Sequence, residues 1–548
     1  MIKRKIALTG DFLRTGINKS CEVRRENLLT IHDYDKRLFE GREVSYEDKG
    51  TLWDIVRTQD AHQIVAIMAE ARETKSFGDL IDDARLWSRK WWGQGVRPGD
   101  VVGVQLPNIW DFIRAHVALA RIGAVIAPIH TPYSEEEREE LLSFVGAKGW
   151  LANGRQGTGL RMMNRGAQDS REFPQDPEVA VNDPLAIFFT SGSHSLKPKS
   201  CLHSHGTLLG NAQVLARHAG IGKNDRIISA SPFTHLFGIL ALHLSFVMGI
   251  PQLLIDRFHP RKFVAACREA RATVAFMVPT HIRDTLRYLQ ENPEDGKGLV
   301  LREVRAAGAK LPPDMVYGVE DVLHAHVVNH WGMSELGAGL TTHWSDRSEI
   351  PGRSIGRPLP GSVLAIVKED GQPARFGETG ELWFRGPSLF YGYVGNPQAT
   401  EESLERDDDG RYWFKTGDLA KWGPGGVVEY SGRVKDLVVR GGMKISAIEV
   451  ESAILEMPGV RQAALIAEPH ERLGELGCLV MATEAGTHYR LGDVLSYLES
   501  RHMAKFKWPE RLVVWESLPT TPTGKIAKAK VKNGLLKESQ MTGPGQRP

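Results

Sequence analysis

Short apolar runs alternate with longer amphipathic stretches up to about residue 350 of this 548-residue chain, and this alternation constrains the fold most strongly. The runs are short enough for buried strands, and the stretches between them carry apolar residues at helical spacing. Buried strands alternating with helices predict largely parallel sheets covered by helices. The runs include VVGVQLP, VIAPIH, AIFFTSG, RIISASP, QLLID and TVAFMVP, and the helical stretches include WDFIRAHVALARIGA and PRKFVAACREAR.

The pattern of apolar runs changes after about residue 350. Segments such as GSVLAIVKEDG, GELWFRGP and GGVVEYSGR have the pattern of short strands joined by glycine turns. We therefore predict an α/β protein with a large N-terminal domain of helix-covered sheets over residues 1–433, which includes a β-rich subdomain from about residue 350. A small, mobile α+β domain over residues 434–536 and a disordered, polar tail over 537–548 are predicted to follow.

Composition excludes several classes of partner. Lys and Arg number 69 against 67 Asp and Glu, so a net charge of +2 gives no support to a nucleic-acid or acidic-membrane partner. The longest apolar run, residues 236–250, is too short to span a membrane and contains His243, which favours a buried helix. The four cysteines lie far apart without a CxxC pair, so we expect neither a zinc ribbon nor disulfides, and we expect a cytoplasmic protein.

One loop has the composition of a phosphate-binding site. In FTSGSHSLKPKSCLHSHG (189–206), a buried strand leads into small hydroxylated residues, one glycine and then lysines. Backbone N–H groups in such a turn can form an anion-binding nest. Taken alone, the stretch also fits a serine-rich surface turn, and the GxxxxGK[ST] pattern of P-loop nucleotidases is absent.

Further motifs occur in a fixed order along the chain, and together they decide how the loop is interpreted. They are PFTHLFG (232–238), RAAGAKL (305–311), WGMSE (331–335), GELWFRG (380–386), FKTGDLA (414–420), SGRVKD (431–436) and PTTPTGKIAK (519–528). This series resembles the signatures of the adenylate-forming superfamily, which comprises acyl-CoA synthetases, aryl-acid ligases and luciferases. The resemblance covers about residues 45–535 and places the loop where the family has its phosphate loop, with His205 matching its closing histidine. It implies ATP-dependent loading of an acid onto AMP with release of pyrophosphate, after which a thiol displaces AMP.

The resemblance also implies roles for individual residues in holding ATP and Mg²⁺. The loop and Lys199 would hold the β- and γ-phosphates, Glu335 and Thr190 would hold Mg²⁺, and Asp418 would accept the ribose hydroxyls. The implied nucleotide- and CoA-binding set is Thr190, Ser191, Gly192, Ser193, His194, Lys199, Gly308, Ala309, Lys310, Asn329, His330, Trp331, Gly332, Met333, Ser334, Asp418, Arg433, Gly441, Gly442 and Lys444.

The chemistry itself is assigned to a smaller set, again from the resemblance. Lys525 would bridge the carboxylate and the α-phosphate and stabilise the charge that develops between them. Glu335, His235 and Arg433 complete the predicted catalytic residues. Lys435 occupies the hinge position about which the small domain would rotate, so that Lys525 leaves after adenylation. Gly441 and Gly442 would then approach the pantetheine thiol, although a simple hairpin turn also explains this pair of glycines.

The resemblance also implies an acyl pocket without a charged side chain. It would comprise His235, Leu236, Phe237, Ala306, Ala307 and Met333, and the lack of a counter-ion for an amino group disfavours an amino-acid substrate. Dihydroxybenzoate-type ligases usually have asparagine where Leu236 stands, which argues against a catechol or salicylate. We expect an acid with an apolar body, whether medium-chain, alicyclic or simple aryl. No phosphopantetheine attachment signature follows Lys525, so free coenzyme A is the expected acceptor.

Three other readings stay open at this point. In the first the chain passes an acyl adenylate to a separate carrier protein, in the second it activates nitrite for diazotisation of an aryl amine, and in the third it binds nucleotide as an inactive pseudo-enzyme. They stay open because the loop lacks the family's second glycine: Ser195 or Leu196 stands there, which predicts an altered triphosphate grip with His194 near the phosphates. The sequence leaves the oligomeric state undecided. Histidines 324, 326 and 330 are interpreted as strand and surface residues rather than metal ligands.

Overall fold

The computed structural model describes residues 50–154, 157–163, 173–174, 177–190, 199–407, 410–521 and 525–541. Within these ranges 14 α-helices and 26 strands are present. The helices are α1 (Leu52–Arg57), α2 (Phe77–Gly93), α3 (Trp110–Ile122), α4 (Glu135–Phe144), α5 (His205–His218), α6 (Leu236–Met248), α7 (Pro260–Glu269), α8 (Pro279–Glu291), α9 (Pro313–Leu323), α10 (Glu349–Arg353), α11 (Pro397–Ser403), α12 (Ala447–Ile454), α13 (Leu491–Ser500) and α14 (Lys528–Met541).

The strands follow the predicted order of short apolar runs. They are β1 (Ile64–Met68), β2 (Glu73–Ser76), β3 (Val101–Gln105), β4 (Val125–Pro128), β5 (Gly149–Gly154), β6 (Gly157–Met162), β7 (Pro184–Thr190), β8 (Lys199–Ser204), β9 (Ile227–Ser229), β10 (Gln252–Leu254), β11 (Val274–Met277), β12 (Glu303–Ala307), β13 (His326–Met333), β14 (Gly337–Thr341), β15 (Arg357–Pro358), β16 (Val363–Val367), β17 (Gly380–Arg385), β18 (Gly392–Tyr393), β19 (Leu404–Arg406), β20 (Tyr412–Trp422), β21 (Val428–Arg433), β22 (Leu437–Arg440), β23 (Met443–Ser446), β24 (Val460–His470), β25 (Gly474–Thr483) and β26 (Arg511–Val514).

Two large, mostly parallel sheets form the body of the N-terminal domain. One has the order β15-β14-β13-β12-β11-β9-β10-β1-β2, and the other has the order β18-β8-β7-β4-β3-β5-β6. The strands from β1 through β10, β9, β11 and β12 to β13 pair in parallel, as do β7, β4, β3 and β5. The largest apolar core joins strands of both sheets to α3, α5 and α6. The predicted α/β class with helix-covered parallel sheets is confirmed.

Helix α6 is the apolar run that the sequence marked as a buried helix, and that prediction is confirmed. Twelve of its thirteen residues are buried in the core between the sheets. Among the described residues, no helix is long and apolar enough to cross a membrane. Cys201, Cys267 and Cys478 are buried free thiols.

Two smaller sheets follow. The first, β16-β17-β20-β19 with β21 on β20, spans Val363–Arg433. The second, β23-β22-β25-β24 with β26 on β25, is packed with α12, α13 and α14. Between them, β21 ends at Arg433 and a single 3-10 turn, Val434–Asp436, leads into β22. The proposed hinge residue Lys435 lies in this turn.

Two local predictions were wrong. Helix α14 extends to Met541, so the disordered tail does not begin at residue 537; its apolar residues Val531 and Leu535 are buried beside β24 and β25, which holds the helix in place. Residues 542–548 of the predicted tail lie outside the described residues. His324 is not on a strand with His326: it ends α9 in the left-handed conformation (φ 52°), and only His326 lies on β13.

Candidate active site

The predicted site residues gather at the carboxyl ends of β12 and β13, the edge at which open parallel sheets bind ligands. Gly308 follows β12 directly, and Trp331 and Met333 lie near the end of β13. Lys525 arrives from the small domain: its Cε lies 3.6 Å from the position that a Cβ on Gly308 would occupy. The edge of the large domain therefore meets a lysine that is about 190 residues or more distant in sequence from these strand ends.

A carboxylate, a guanidinium and an indole form the centre of this edge. Asp418 on β20 is buried, and its Oδ1 lies 3.0 Å from Nε of Arg433 on the neighbouring β21. The Trp331 indole donates a 2.8 Å hydrogen bond to Asp418 Oδ2. Oδ1 has no aligned hydrogen-bond donor among the described residues, so it retains acceptor capacity for a ligand hydroxyl. Burial raises the pKa of Asp418, and Arg433 and Trp331 oppose that rise.

Lys525 completes a group that we call the reaction centre: Trp331, Asp418, Arg433 and Lys525. The Lys525 side chain is exposed, yet its position beside Gly308 and near Arg433 partly desolvates its charge. This desolvation, reinforced by the positive charge of Arg433, lowers the pKa of Lys525 to about 8, while Asp418 opposes the change. A lysine with this pKa is still largely protonated near neutral pH and has few compensating partners, which suits it to bind an anion.

The predicted phosphate-binding residues Thr190 and Lys199 lie on the other large sheet, and the predicted Mg²⁺ residue Glu335 lies in the turn between β13 and β14. Thr190 ends β7 and pairs with Lys199 at the start of β8. The Lys199 amino group lies 3.3 Å from the hydroxyl of Tyr393 and 4.4 Å from its ring centre. The same hydroxyl donates a 2.8 Å bond to Glu335 Oε1. A lysine, a hydroxyl and a buried carboxylate are thus brought together, which fits hard oxygen ligation of Mg²⁺ alongside phosphates.

His235 is fixed at the N-terminus of α6. Its Nδ1 accepts a 3.2 Å hydrogen bond from the Phe237 backbone N–H, so Nε2 carries the proton in the neutral ring. Burial, followed by the charges of His130 and Lys525, lowers the pKa of His235 to about 3. The residue is therefore a neutral hydrogen-bond donor rather than a cation. It lies where the helix dipole also favours an anion.

The loop before His235 is held by a side chain that the motifs did not mark. Asn108 donates to the Ser231 carbonyl at 3.0 Å and accepts from the Phe233 N–H at 2.7 Å. Gly238 is required in the same turn, because a Cβ there would lie 2.1 Å from the Pro232 carbonyl oxygen. The PFTHLFG motif is thus a tightly packed turn into α6, and its glycine has a steric reason.

Of the predicted acyl-pocket residues, Leu236, Phe237 and Ala307 share one apolar core, and we call these three the acyl wall, whereas Ala306 belongs to a second core and Met333 packs against a third. Ala306 and Ala307 end β12 and are buried. Leu236 and Phe237 begin α6, and the Phe237 ring packs against Phe276 at 5.2 Å between ring centres. His235 precedes them as the cap of α6, and Met333 is partly buried near the end of β13. No charged side chain occurs in this set, as the sequence indicated.

Several predicted nucleotide-binding residues use their side chains for structure in this arrangement. Asn329 donates to the carbonyl oxygens of Pro351 and Ser354 at 3.0 and 2.9 Å. His330 is buried, and its Nε2 lies 3.0 Å from Arg305 Nη1. Gly332 lies on β13 itself, and Ser334 and Ala309 lie in the segments that follow β13 and β12.

The residues assigned to the second half-reaction are not brought to the reaction centre. Gly441 and Gly442, with φ of 56° and 82°, form the exposed two-residue turn of the β22–β23 hairpin, as two positive φ angles require. Lys444 forms an ion pair with Glu369 of the large domain. Lys310 donates a 3.2 Å bond to Ser452 of the small domain. Ser191, Gly192, Ser193 and His194 lie outside the described residues.

Two positioning residues were missed by the sequence reasoning. Tyr393 connects Lys199 to Glu335, and its only signal was its place in the FYGY segment after GELWFRGPS. His203 lies with Nε2 2.7 Å from the Ser334 carbonyl oxygen and so supports the WGMSE turn from β8. Neither contact has a sequence signature, because each joins residues that are far apart along the chain.

Comparison with known proteins agrees with this geometry. Residues 54–394 match the family model described as AMP-binding enzyme, and residues 449–525 match the AMP-binding enzyme C-terminal domain. The 2-hydroxy-7-methoxy-5-methyl-1-naphthoate–CoA ligase of Streptomyces carzinostaticus is 29% identical over 496 residues, which cover 83% of this chain and 87% of that protein. Feruloyl-CoA synthase of an Amycolatopsis species is 30% identical over 455 residues, covering 80% and 89%.

A solved structure extends the match to three dimensions. ATP-bound MatB from Rhodopseudomonas palustris superposes with a TM-score of 0.78 at 26% identity, covering 88% of this chain and 98% of MatB. The family model matches more than half of the chain, and its two parts fall on the large and small domains described above. This chain therefore belongs to the AMP-binding enzyme family within the adenylate-forming superfamily, and it is an enzyme of the AMP-forming acid–thiol ligase class.

Proposed function

We propose that the protein uses ATP to activate a carboxylic acid with an apolar body and then transfers the acyl group to coenzyme A. The observation that carries this proposal is the meeting of Lys525 with Trp331, Asp418 and Arg433 beside an uncharged wall. A cation, a nucleoside-binding carboxylate and an apolar acyl wall at one edge are what adenylation of such an acid requires.

In the first step a carboxylate oxygen of the acid attacks the α-phosphorus of ATP, and pyrophosphate leaves with the electron pair of the broken P–O bond. Lys525 contacts both reacting anions and offsets their charge, and Nε2–H of His235 donates to the carboxylate. Asp418 accepts from the ribose hydroxyls while Arg433 holds it in place. Lys199 and Thr190 bind the outgoing phosphates.

Mg²⁺ fits the donor set around Glu335 and Thr190, since it favours carboxylate, hydroxyl and phosphate oxygens. When bound, the ion supplies charge neutralisation for the phosphates. In the second step the coenzyme A thiolate attacks the acyl carbon and AMP departs with the mixed-anhydride oxygen. For this step the small domain would turn about Lys435 and withdraw Lys525, bringing Gly441, Gly442 and Lys444 to the acyl group.

The names of the relatives support an aryl acid as the substrate class. Those ligases act on a substituted naphthoate and form feruloyl-CoA. The uncharged wall with Leu236, Phe237 and Ala307 suits a ring system of this kind.

The proposal is tested by incubating the purified chain with ATP, Mg²⁺, coenzyme A and a panel of aryl, alicyclic and medium-chain acids. Pyrophosphate and acyl-CoA are measured together, and formation of both in equal amounts is expected with at least one acid. Pyrophosphate release without acyl-CoA would overturn the assignment of coenzyme A, and a parallel reaction with a phosphopantetheinylated carrier protein would identify the alternative acceptor. A product found only with nitrite and an aminobenzoate would replace the carboxylic acid altogether.

A further inference from the structure

A small enclosed cavity lies between α5 and α6, below the acyl wall. Leu236, Ile239, Leu240 and His243 line it from α6, and Asn211 and Ser388 are among the residues on its other sides. We call it the distal cavity. Its volume is about 10 Å³, which is close to the space of one water molecule.

Two residues that line the distal cavity carry a polar atom with no hydrogen-bond partner among the described residues. The atoms are His243 Nδ1 and Ser388 Oγ, and the two residues are 1% and 2% exposed. Asn211, by contrast, is fully engaged, since it donates to the Ala338 carbonyl at 2.8 Å and accepts from the Ala338 N–H at 3.0 Å. An unpaired buried polar atom destabilises the folded protein by about 1–3 kcal/mol. A ligand oxygen that hydrogen-bonds to one of these atoms would remove that destabilisation.

Pairing with His116 allows His243 Nδ1 to act either as a hydrogen-bond acceptor or as a donor. Its Nε2 lies 2.9 Å from Nε2 of His116 on α3, and both rings are stacked and buried. Burial lowers the pKa of His243 to about 3 and that of His116 well below its usual value, so both rings are neutral at physiological pH. In a neutral pair one Nε2 donates to the other, and exchange of the two tautomers turns His243 Nδ1 from acceptor to donor.

The position of the cavity along α6 relates it to the reaction centre. Leu236, Ile239, Leu240 and His243 follow helical spacing and share one face of the helix. His243 lies eight residues beyond His235, which corresponds to about 12 Å along the helix axis. This is comparable to the length of an arylpropenoic or naphthoic acid whose carboxylate lies beside His235 and Lys525.

We propose that His243, supported by His116 and Ser388, selects an acid that carries a hydrogen-bonding oxygen, such as a phenolic hydroxyl, at the end remote from its carboxylate. This inference rests on the proposed function and refines it: the acyl body is apolar, but its far end is polar. The distal cavity takes that single oxygen, and the apolar face of α6 contacts the ring. Side chains on this face change rotamer to admit the ring, as is common where partners bind without backbone movement.

The test compares matched acids that differ only at the far end: 3-phenylpropenoate against its 4-hydroxy derivative, and 2-naphthoate against 6-hydroxy-2-naphthoate. Acyl-CoA formation by the full chain is measured to obtain kcat/KM for each acid. We expect the hydroxylated acid of at least one pair to be favoured by about tenfold or more, as one well-placed hydrogen bond gives.

Variants then assign the preference to the cavity. H243L should reduce the ratio within that pair to about one, mainly by lowering kcat/KM for the hydroxylated acid. H243L alone leaves His116 Nε2 buried without a hydrogen-bond partner, which can destabilise the fold. The double variant H116L/H243L replaces both partners by apolar groups and so protects the test against misfolding. S388A should reduce the ratio partly, and H243Q should restore part of it. Ser245 is a matched control on α6: it is fully buried and bonds Gln252 at 3.3 Å, so S245A should leave the ratio unchanged.

The outcomes separate the two proposals. Absence of acyl-CoA from every acid would remove the proposed function itself. Acyl-CoA formed from both members of each pair with equal kcat/KM, or a preference that survives in H116L/H243L, would overturn the role of His243 and leave the distal cavity as a site for an ordered water only.

Discussion

The two ends of the binding site differ in charge and in how their residues are held. At the reaction centre, the carboxylate of Asp418 and the cation of Arg433 belong to the large domain, and Lys525 adds a second cation from the small domain. At the distal cavity, the polar groups are neutral histidine and serine side chains enclosed in the core between α5 and α6. The first end is suited to charge that develops during a reaction, and the second to discriminating an uncharged group that never reacts.

Loss of Lys525 should have the largest effect and should affect only the reaction end. We expect K525A to lower the adenylation rate by about 10²–10³-fold, because one preorganised charge is removed from the reacting anions. The measurement is acid-dependent exchange of pyrophosphate into ATP, with K537A on the exposed face of α14 as the control lysine. A K525A enzyme with normal exchange would show that the cation at this edge is not used. The preference between matched acids should survive in whatever activity remains.

Substitution of Asp418 should be the next largest effect and should appear in ATP binding. We expect D418N to raise the KM for ATP by about 10–100-fold, because hydrogen bonds to a charged acceptor are worth about 1.5–3 kcal/mol. The Asp346–Arg357 pair, at 3.0 Å and remote from the site, provides the matched control D346N. An unchanged KM for ATP with a reduced kcat would instead assign Asp418 to the chemical step rather than to the ribose.

The smallest effect expected near neutrality is the pH dependence of kcat/KM, which should differ between the two ends of the site. Lys525 is cationic below its pKa of about 8, so kcat/KM for ATP should fall as the pH rises through 8, by about tenfold per pH unit at higher pH. K525R should not show this decrease in kcat/KM up to about pH 10, because arginine keeps its proton there. Between pH 5.5 and 8 the preference between matched acids should stay constant, since the pKa of His243 is about 3. A preference that changed across this range would contradict a neutral histidine pair.

Much of this molecule could be predicted from sequence because its information is local. The α/β class followed from apolar runs and helical spacing, and α6 was identified as a buried helix from its composition. The motifs around Trp331, Asp418, Arg433 and Lys525 were also recognisable, each within about ten residues of chain. The errors were local as well: α14 was ended too early because polar residues mask its buried face, and His324 was placed on a strand rather than at a helix end.

The contacts that connect those motifs could not be predicted. Tyr393 lies between Lys199 and Glu335, His203 supports the carbonyl of Ser334, and Trp331 donates to Asp418. Each contact joins elements that are far apart in sequence, and nothing in the local pattern of either partner specifies the other.

By itself, the sequence determined the order of strands and helices, the family and the candidate residues for ATP binding, because hydrophobic periodicity and short motifs are properties of neighbouring residues. Only the tertiary structure decided that Lys525 lies beside Gly308 and that His116 and His243 are within hydrogen-bond distance in the core. It also left His243 Nδ1 and Ser388 Oγ unpaired beside one cavity. Burial and pairing depend on how distant elements pack, and that packing separates the charged end of the site from its neutral end.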